Sequence, residues 1–216
     1  MVEVRIWIEG GTLAHDNTSA AVFDNSQRFR ESFKKLFSQI FNEDQIKIII
    51  ENGAGEKNTV KLFKANAHKT PESFVLLDLD GPPSSRAKRL DYFDLNAWDT
   101  QIFFMIQAME AWILSQPDVI EICLAKYKKD SNASVASDNL IVDKNPEQIT
   151  HPDRVLEIVI SRYFQEERKG VVKKLKYGKL KTAPDLIEKL NLQKLSDTFE
   201  DVQQLIKAIK NTASLK

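Results

Sequence analysis

Three carboxylates in two short segments carry the clearest chemical signal in the chain. Glu9 ends the apolar run of residues 4–8 and is followed by two glycines, whereas Asp78 and Asp80 end a second apolar run and precede a Gly-Pro-Pro turn. If the two runs are neighbouring strands of a parallel sheet, the carboxylates converge and repel one another unless a divalent cation lies between them. The pattern predicts a metal-dependent phosphoryl-transfer site.

The predicted cofactor is Mg²⁺, or Mn²⁺ in its place, because both prefer hard oxygen ligands. Two such ions about 4 Å apart can activate a water molecule and stabilise the leaving oxygen in phosphodiester cleavage. On a strand, the spacing of Asp78 and Asp80 directs both side chains to the same face. The alternative is that Glu9 and the two aspartates are solvated charges at loop edges or helix caps.

Two further residues are candidates for the same site. Glu110 follows the fourth apolar run, where it could supply another ligand or a general base, but a glutamate at a helix start is also favoured by the helix dipole. His15 lies in the loop after Glu9 and could assist proton transfer, although a single loop histidine is more often incidental.

A basic stretch extends from residue 168 to residue 181 and contains no acid. Its candidate nucleic-acid-binding residues are Arg168, Lys173, Lys174, Lys176, Tyr177, Lys179 and Lys181. Such a stretch suits contact with a phosphate backbone, and Tyr177 could stack on a base. The alternative is an ordinary solvated lysine face.

Strand and helix patterns alternate through the first half of the chain. Apolar, partly β-branched runs predict strands at residues 3–9, 47–50, 74–79 and 101–107, and three- and four-residue apolar spacing predicts helices at about 27–41 and 57–67. This order indicates a parallel sheet with right-handed crossovers, whose ligands collect at the carboxyl ends of the strands. One long helix over residues 101–115 is the alternative to the fourth strand.

The predicted domain organisation is an α/β domain at residues 1–125, a mobile loop or linker at 126–150 and a helical region at 151–216 packed on the core. A loop rich in proline and charge is expected at 81–100, a helix at about 109–115, and a last helix at about 196–210. No strand is predicted beyond residue 150.

Bulk composition excludes several classes of protein. Lysine plus arginine and aspartate plus glutamate both total 31 among 216 residues, so a nucleic-acid surface must be a local patch. No signal pattern or apolar run of about 20 residues predicts a membrane association. Cys123 is the only cysteine, which excludes an internal disulfide and fits a cytoplasmic location.

These segments resemble a known family. Glu-Gly after strand one and Asp-x-Asp after strand three resemble the topoisomerase-primase (TOPRIM) fold, and more closely the bacterial family called domain of unknown function 4276 (DUF4276). The matching segments are residues 4–11, 28–36, 74–80, 104–112 and 169–186, of which Met-Glu-Ala-Trp at 109–112 is the most specific.

The resemblance implies an α/β fold with a TOPRIM-like βαβαβ core, three to four parallel strands flanked by helices, and a C-terminal helical region. It also implies a cytoplasmic prokaryotic protein that works with an ABC-type, SMC-like ATPase in defence against phages or plasmids. In TOPRIM proteins the matching acids hold Mg²⁺ for strand cleavage, a role that carries over to Glu9, Asp78 and Asp80. Glu110 matches a DUF4276 position whose role the resemblance does not define.

One departure from the family pattern bears on activity. Relatives often carry an acid soon after Glu-Gly, but this chain has Thr12-Leu13-Ala14 there, with Asp16 later. A missing ligand would weaken a second metal site. Two functions are compatible with these features. One is a Mg²⁺-dependent nuclease. The other is a non-catalytic TOPRIM scaffold, which either senses a ligand or acts as the partner of the ATPase.

Overall fold

Four parallel strands form the central sheet of the computed structural model, which describes residues 1–10, 20–70, 72–129 and 132–214. The strands are β1 (Val2–Ile8), β2 (Ile46–Asn52), β3 (Ser73–Asp78) and β4 (Ile102–Met105). Their order is β2-β1-β3-β4, and every neighbouring pair is parallel. The predicted α/β fold with a parallel sheet and a C-terminal helical region is confirmed.

The register brings the carboxyl ends of the strands to one edge of the sheet. Ile8 of β1 pairs with Leu76 of β3, and Asp78 of β3 pairs with Met105 of β4. All six residues of β3 are buried, as expected for a central strand covered on both faces. The residues that directly follow β1, β3 and β4 therefore lie at the same edge of the sheet.

Helices cover both faces of the sheet. The described residues form α1 (Ala20–Phe37), α2 (Glu56–Ala67), α3 (Arg86–Tyr92), α4 (Met109–Leu114), α5 (Pro117–Leu124), α6 (Pro152–Tyr163), α7 (Ala183–Ile187), α8 (Leu192–Thr198) and α9 (Glu200–Ser214). Because Phe29, Phe33 and Phe37 recur at four-residue steps, they lie on one face of α1 and pack in the larger core. Val60 and Phe63 of α2 pack in a smaller core on the opposite face of the sheet, with Trp7.

The C-terminal helices share the larger core with the first half of the chain. The α7 helix packs on α1, α6 on α4, and α9 on β4. The Trp112 ring lies 6.3 Å from that of Phe33 and 6.2 Å from that of Phe199, so one tryptophan joins α4 to both regions.

The fourth strand is confirmed, and the alternative of one helix over residues 101–115 is wrong. Gln107 has a left-handed backbone (φ 62°) and Ala108 is extended, so the chain turns between β4 and α4. The expected loop at 81–100 contains α3 and two short 3₁₀ turns.

The expectation of no strand beyond residue 150 is also wrong. A small antiparallel sheet has the order β5-β6-β7, with β5 at Lys128–Lys129, β6 at Phe164–Arg168 and β7 at Val171–Lys174. All four residues of β7 are exposed, so no alternation of buried and exposed side chains marks the strand in the sequence.

The segment at 126–150, predicted as a mobile loop or linker, is anchored where it is described. Val135, Ile141 and Ile149 are buried in the larger core. Glu121 of α5 accepts a hydrogen bond from the backbone N–H of Val135. Among the described residues, no helix has both the length and the apolar character needed to span a bilayer.

Candidate active site

The acids predicted from the sequence follow three adjacent strands. Glu9 comes directly after β1, Asp78 ends β3, and Glu110 is the second residue of α4, a few residues beyond β4. Since β3 lies between β1 and β4, Asp78 lies between the segments that carry the two glutamates. The structure thus brings Glu9, Asp78 and Glu110 to the same edge of the sheet.

The glycine after Glu9 allows a close approach of the backbone to its neighbours. A Cβ atom added at Gly10 would lie 2.7 Å from the Asn52 side-chain nitrogen and 2.8 Å from the Phe29 ring, too close for either contact. Any larger residue would displace the chain immediately beyond Glu9. The Glu-Gly pair is therefore a packing requirement of this edge as well as a sequence signature.

Asp78 is buried, with 4% of its surface exposed, and both of its carboxylate oxygens have partners. Oδ1 accepts a hydrogen bond from the backbone N–H of Met109 at 2.9 Å, which fixes the start of α4. Oδ2 accepts one from Nζ of Lys179, also at 2.9 Å. Asp78 thus links the sheet, α4 and the basic stretch.

Glu110 is 1% exposed, which is unusual for a glutamate. Its Oε1 accepts a hydrogen bond from the Tyr177 hydroxyl at 2.9 Å. Its Oε2 is buried and has no hydrogen-bond partner among the described residues. Burial raises the pKa of Glu110, and nearby Lys179 partly offsets that rise.

Glu9 also has a buried oxygen, Oε2, without a hydrogen-bond partner in the described part of the chain. Burial raises the pKa of Glu9 to about 7, and the negative charges of Asp78, Glu56 and Asp80 add to the effect. An unpartnered oxygen on a carboxylate that titrates near neutrality suits a metal ligand or a general base.

Asp80 differs from Asp78 in its backbone conformation and in its ion-pair partner. The strand ends at Asp78, and Asp80 has a left-handed backbone (φ 54°), so strand alternation does not set its direction. Its Oδ2 accepts a hydrogen bond from Arg89 of α3 at 2.6 Å, and Arg89 also forms an ion pair with Glu56 at the start of α2. Burial and the charge of Asp78 raise the pKa of Asp80.

Lys179 is the main counter-charge of the cluster. Although burial lowers the pKa of Lys179, the carboxylates of Asp78, Glu110 and Glu9 raise it above its ordinary value, so the ammonium stays charged. In the described ranges, no group of three or more Asp, Glu, His or Cys side chains is arranged to hold a metal ion. The cations that face these acids are Lys179 and Arg89.

The sequence reasoning did not assign Lys179, Tyr177, Glu56 or Arg89 to this edge. It placed Lys179 and Tyr177 only in a nucleic-acid-binding stretch. Glu56 could have been found, because it follows β2 and the Gly53-Ala54-Gly55 turn at the same edge of the sheet. Arg89 lies on α3, in a segment predicted as a loop.

The remaining basic residues lie at the surface. Lys173 and Lys174 are exposed on β7, and Lys176 and Lys181 are exposed in the segment that leads to α7. Arg168 ends β6, but its side chain lies outside the described residues, as do Gly11, His15 and Asp16.

The elevated pKa of Glu9 predicts a pH-dependent cost to stability. The folded chain holds a proton on Glu9 up to about pH 7, whereas the unfolded chain loses it near the ordinary value of 4.5. Stability should therefore fall as pH rises through this window. We expect Glu9→Gln to raise the free energy of unfolding by about 2–3 kcal/mol at about pH 8, and by little at about pH 4.5.

Urea denaturation in EDTA across this pH range would measure the difference. Glu157→Gln, on an exposed position of α6, is the control and should show no comparable change. A constant difference between Glu9→Gln and the parent at all pH values would contradict the assignment of a titrating, buried Glu9.

A sequence model of the family described as "Domain of unknown function (DUF4276)" matches residues 21–210. The matched region includes Asp78, Asp80, Glu110 and Lys179, and it begins after Glu9. Searches of curated proteins and of solved structures gave no match.

Proposed function

Because the chain belongs to the DUF4276 family, whose description assigns no function, we propose from its site that it is a Mg²⁺- or Mn²⁺-dependent nuclease of TOPRIM type. In this proposal it cleaves phosphodiester bonds as the cytoplasmic effector of a prokaryotic defence system, together with an ABC-type ATPase. The observation that carries the proposal is the convergence of Glu9, Asp78 and Glu110 at one buried edge of the sheet.

The donor atoms fit the proposed cation by their chemistry. They are all carboxylate oxygens, the ligands that Mg²⁺ and Mn²⁺ prefer, and Glu9 Oε2 and Glu110 Oε2 are buried without hydrogen-bond partners among the described residues. Mutual repulsion contributes to the raised pKa of Glu9, and a bound cation would relieve it. Glu9, Asp78 and Asp80 would hold the cation, which requires Asp78 to release Lys179 and Asp80 to release Arg89.

When bound, the cation would polarise the phosphate and lower the pKa of water. Glu9, which has one buried oxygen without a hydrogen-bond partner among the described residues, would accept the proton of the attacking water. That water would form the new P–O bond as the bond to the leaving oxygen breaks, and the leaving oxygen then takes a proton. Lys179 would contact the phosphate. Glu110 would supply its unpartnered oxygen as a further metal ligand or as a second proton acceptor.

A second candidate function is a non-catalytic scaffold that senses a ligand or serves the ATPase as its partner. The observation that favours it is the neutralisation of Asp78 by Lys179 and of Asp80 by Arg89. If these ion pairs are permanent, the acids need no metal, and the TOPRIM-like frame serves only for binding.

Calorimetric titration with Mn²⁺ separates the two functions. A nuclease is expected to bind Mn²⁺, and Asp78→Asn should weaken that binding by at least about tenfold, because one formal ligand charge is lost from a buried site. Glu157→Gln is the matched control on an exposed helix face. If the parent binds no Mn²⁺ at millimolar concentration, either alone or with single-stranded nucleic acid present, the scaffold function replaces the nuclease.

A further inference from the structure

A broad groove lies beside the acid cluster, between the small antiparallel sheet and the start of α7. Its volume is about 1030 Å³, slightly above the ~300–1,000 Å³ typical of small-molecule sites. Its walls include Lys126 and Tyr127 after α5, Lys173 and Lys174 on β7, and Lys176.

The charge of the groove is strongly positive although the chain as a whole is neutral. Its lining includes seven cationic residues, namely Arg28, Lys126, Lys173, Lys174, Lys176, Lys179 and Lys181, against the two acids Glu166 and Asp185. Asp185 is already paired with Arg28 at 2.5 Å. Lys173, Lys174, Lys176 and Lys181 form no salt bridge with any described residue, so their charge is available to a polyanion.

An aromatic ring accompanies these cations. Tyr127 lines the groove and is only partly buried, and Nζ of Lys126 lies 5.4 Å from the centre of its ring. A basic groove with an aromatic platform is the usual arrangement for single-stranded nucleic acid, whose unpaired bases can stack while the phosphates follow the cations. Tyr177 is less suited to stacking, since its hydroxyl is engaged by Glu110.

Lys179 belongs to both the groove and the acid cluster. It lines the groove, 45% of its side chain is exposed, and its Nζ is 2.9 Å from Asp78 Oδ2. A phosphate that enters the groove at this point would compete with Asp78 for the same ammonium. A lysine side chain has the flexibility to change partners without movement of the backbone.

We propose that the groove binds a single strand of nucleic acid and that Lys179 moves from Asp78 to a phosphate of that strand, which frees Asp78 for the divalent cation. The inference rests on the proposed function, because it assigns the substrate surface of that site and its regulation. Without a strand, Lys179 neutralises the acids and weakens metal binding. With a strand, the positive charge leaves the cluster, and strand and metal each strengthen the binding of the other.

The coupling is measured by Mn²⁺ calorimetry with and without a phosphorothioate oligodeoxythymidylate of about 12 nucleotides, a length within the range for single-strand sites. For the parent we expect the strand to tighten Mn²⁺ binding by roughly 5–150-fold. For Lys179→Met we expect tight Mn²⁺ binding without the strand and less than about a twofold further gain with it, because no ammonium remains to be displaced. Lys179→Arg keeps the charge and should keep the coupling.

Strand binding itself is measured by fluorescence anisotropy in EDTA, where cleavage plays no part. The combined variant Lys173→Gln, Lys174→Gln, Lys176→Gln should weaken binding and lower the slope of log K against log salt by about 2, at about 0.7 per phosphate contact of a single strand. The matched control removes the same charge from exposed lysines outside the groove, as Lys61→Gln, Lys69→Gln, Lys207→Gln, and should bind as the parent does.

Each outcome bears on the inference separately from the proposed function. Mn²⁺ binding that is unaffected by a bound strand, or coupling that persists in Lys179→Met, overturns the exchange of Lys179. Equal strand affinity in the groove variant and its control, or binding of duplex alone, overturns the groove as the single-strand site, and an oligouridylate arm separates RNA from DNA. If Mn²⁺ binds in neither the presence nor the absence of strand, the proposed nuclease fails as well. Should Lys179→Met fail to fold, Mn²⁺ coupling in the parent and in Lys179→Arg still tests the exchange, and its absence from both overturns it; the groove variant still tests the strand site.

Discussion

Glu9→Gln is expected to reduce metal-dependent cleavage of nucleic acid by about 10²–10⁴-fold, the usual contribution of a general base. The amide cannot accept the proton of the attacking water, and it removes one carboxylate from the ligand set. Asp78→Asn should have a similar effect, since Asp78 is buried, with 4% of its surface exposed, and lies between the segments that carry Glu9 and Glu110. A gel assay with single-stranded DNA and RNA in Mg²⁺ or Mn²⁺ would measure the rates.

The activity lost in Glu9→Gln cannot be ascribed to unfolding, because the same change is expected to stabilise the metal-free fold at neutral and higher pH. Glu51→Gln is the matched control: Glu51 lies on β2 of the same sheet, and its carboxylate pairs with Arg5 at 3.5 Å. Cleavage by either site variant at the rate of the parent would show that the acids have another role.

The sheet and the acids at its edge were predictable from local signals. Apolar runs identify β1, β3 and β4, and the rule that parallel strands end at one edge places Glu9, Asp78 and Glu110 together. These inferences need only the order of the elements. They do not depend on how any one side chain packs.

The counter-charges were not predictable in the same way. Lys179 is 101 residues from Asp78 in the sequence, and its contact depends on how the segment after β7 folds back onto the sheet. From sequence alone, a lysine in a basic stretch is predicted to be a surface residue, because that packing is not known. Arg89 was missed for a related reason, since α3 lies in a segment whose prolines and charges resemble a loop.

The small antiparallel sheet was missed because too few of its side chains are buried to produce a hydrophobic pattern in the sequence. Every residue of β7 is exposed, including Val171 and Val172, so hydrophobic periodicity is absent where the strand forms. Its partner β6 follows α6 without a turn signal, because Tyr163 ends the helix and Phe164 begins the strand. This sheet carries Lys173 and Lys174, and therefore part of the groove.

Lys179→Met is expected to lower the free energy of unfolding of the metal-free protein by about 1–3 kcal/mol. Removing one partner of a buried ion pair commonly costs about 3–5 kcal/mol, but Lys179 is 45% exposed, and water therefore screens part of its interaction with Asp78. The rest of the loss arises because Asp78, Glu110 and Glu9 remain together without their shared positive charge. Urea denaturation in EDTA would measure it.

Lys176→Met is the matched control, since Lys176 is an exposed lysine of the same segment and forms no salt bridge with a described residue. It should change the free energy of unfolding by less than about 0.5 kcal/mol.

Mn²⁺ should then restore the stability of Lys179→Met, because a cation that binds only the folded state, at 100 times its dissociation constant, adds about 2.7 kcal/mol to the free energy of unfolding. If Lys179→Met is as stable as the parent in EDTA, the acids do not depend on the lysine. If Mn²⁺ restores nothing, the cluster is not a cation site, and Lys179 has only a structural role.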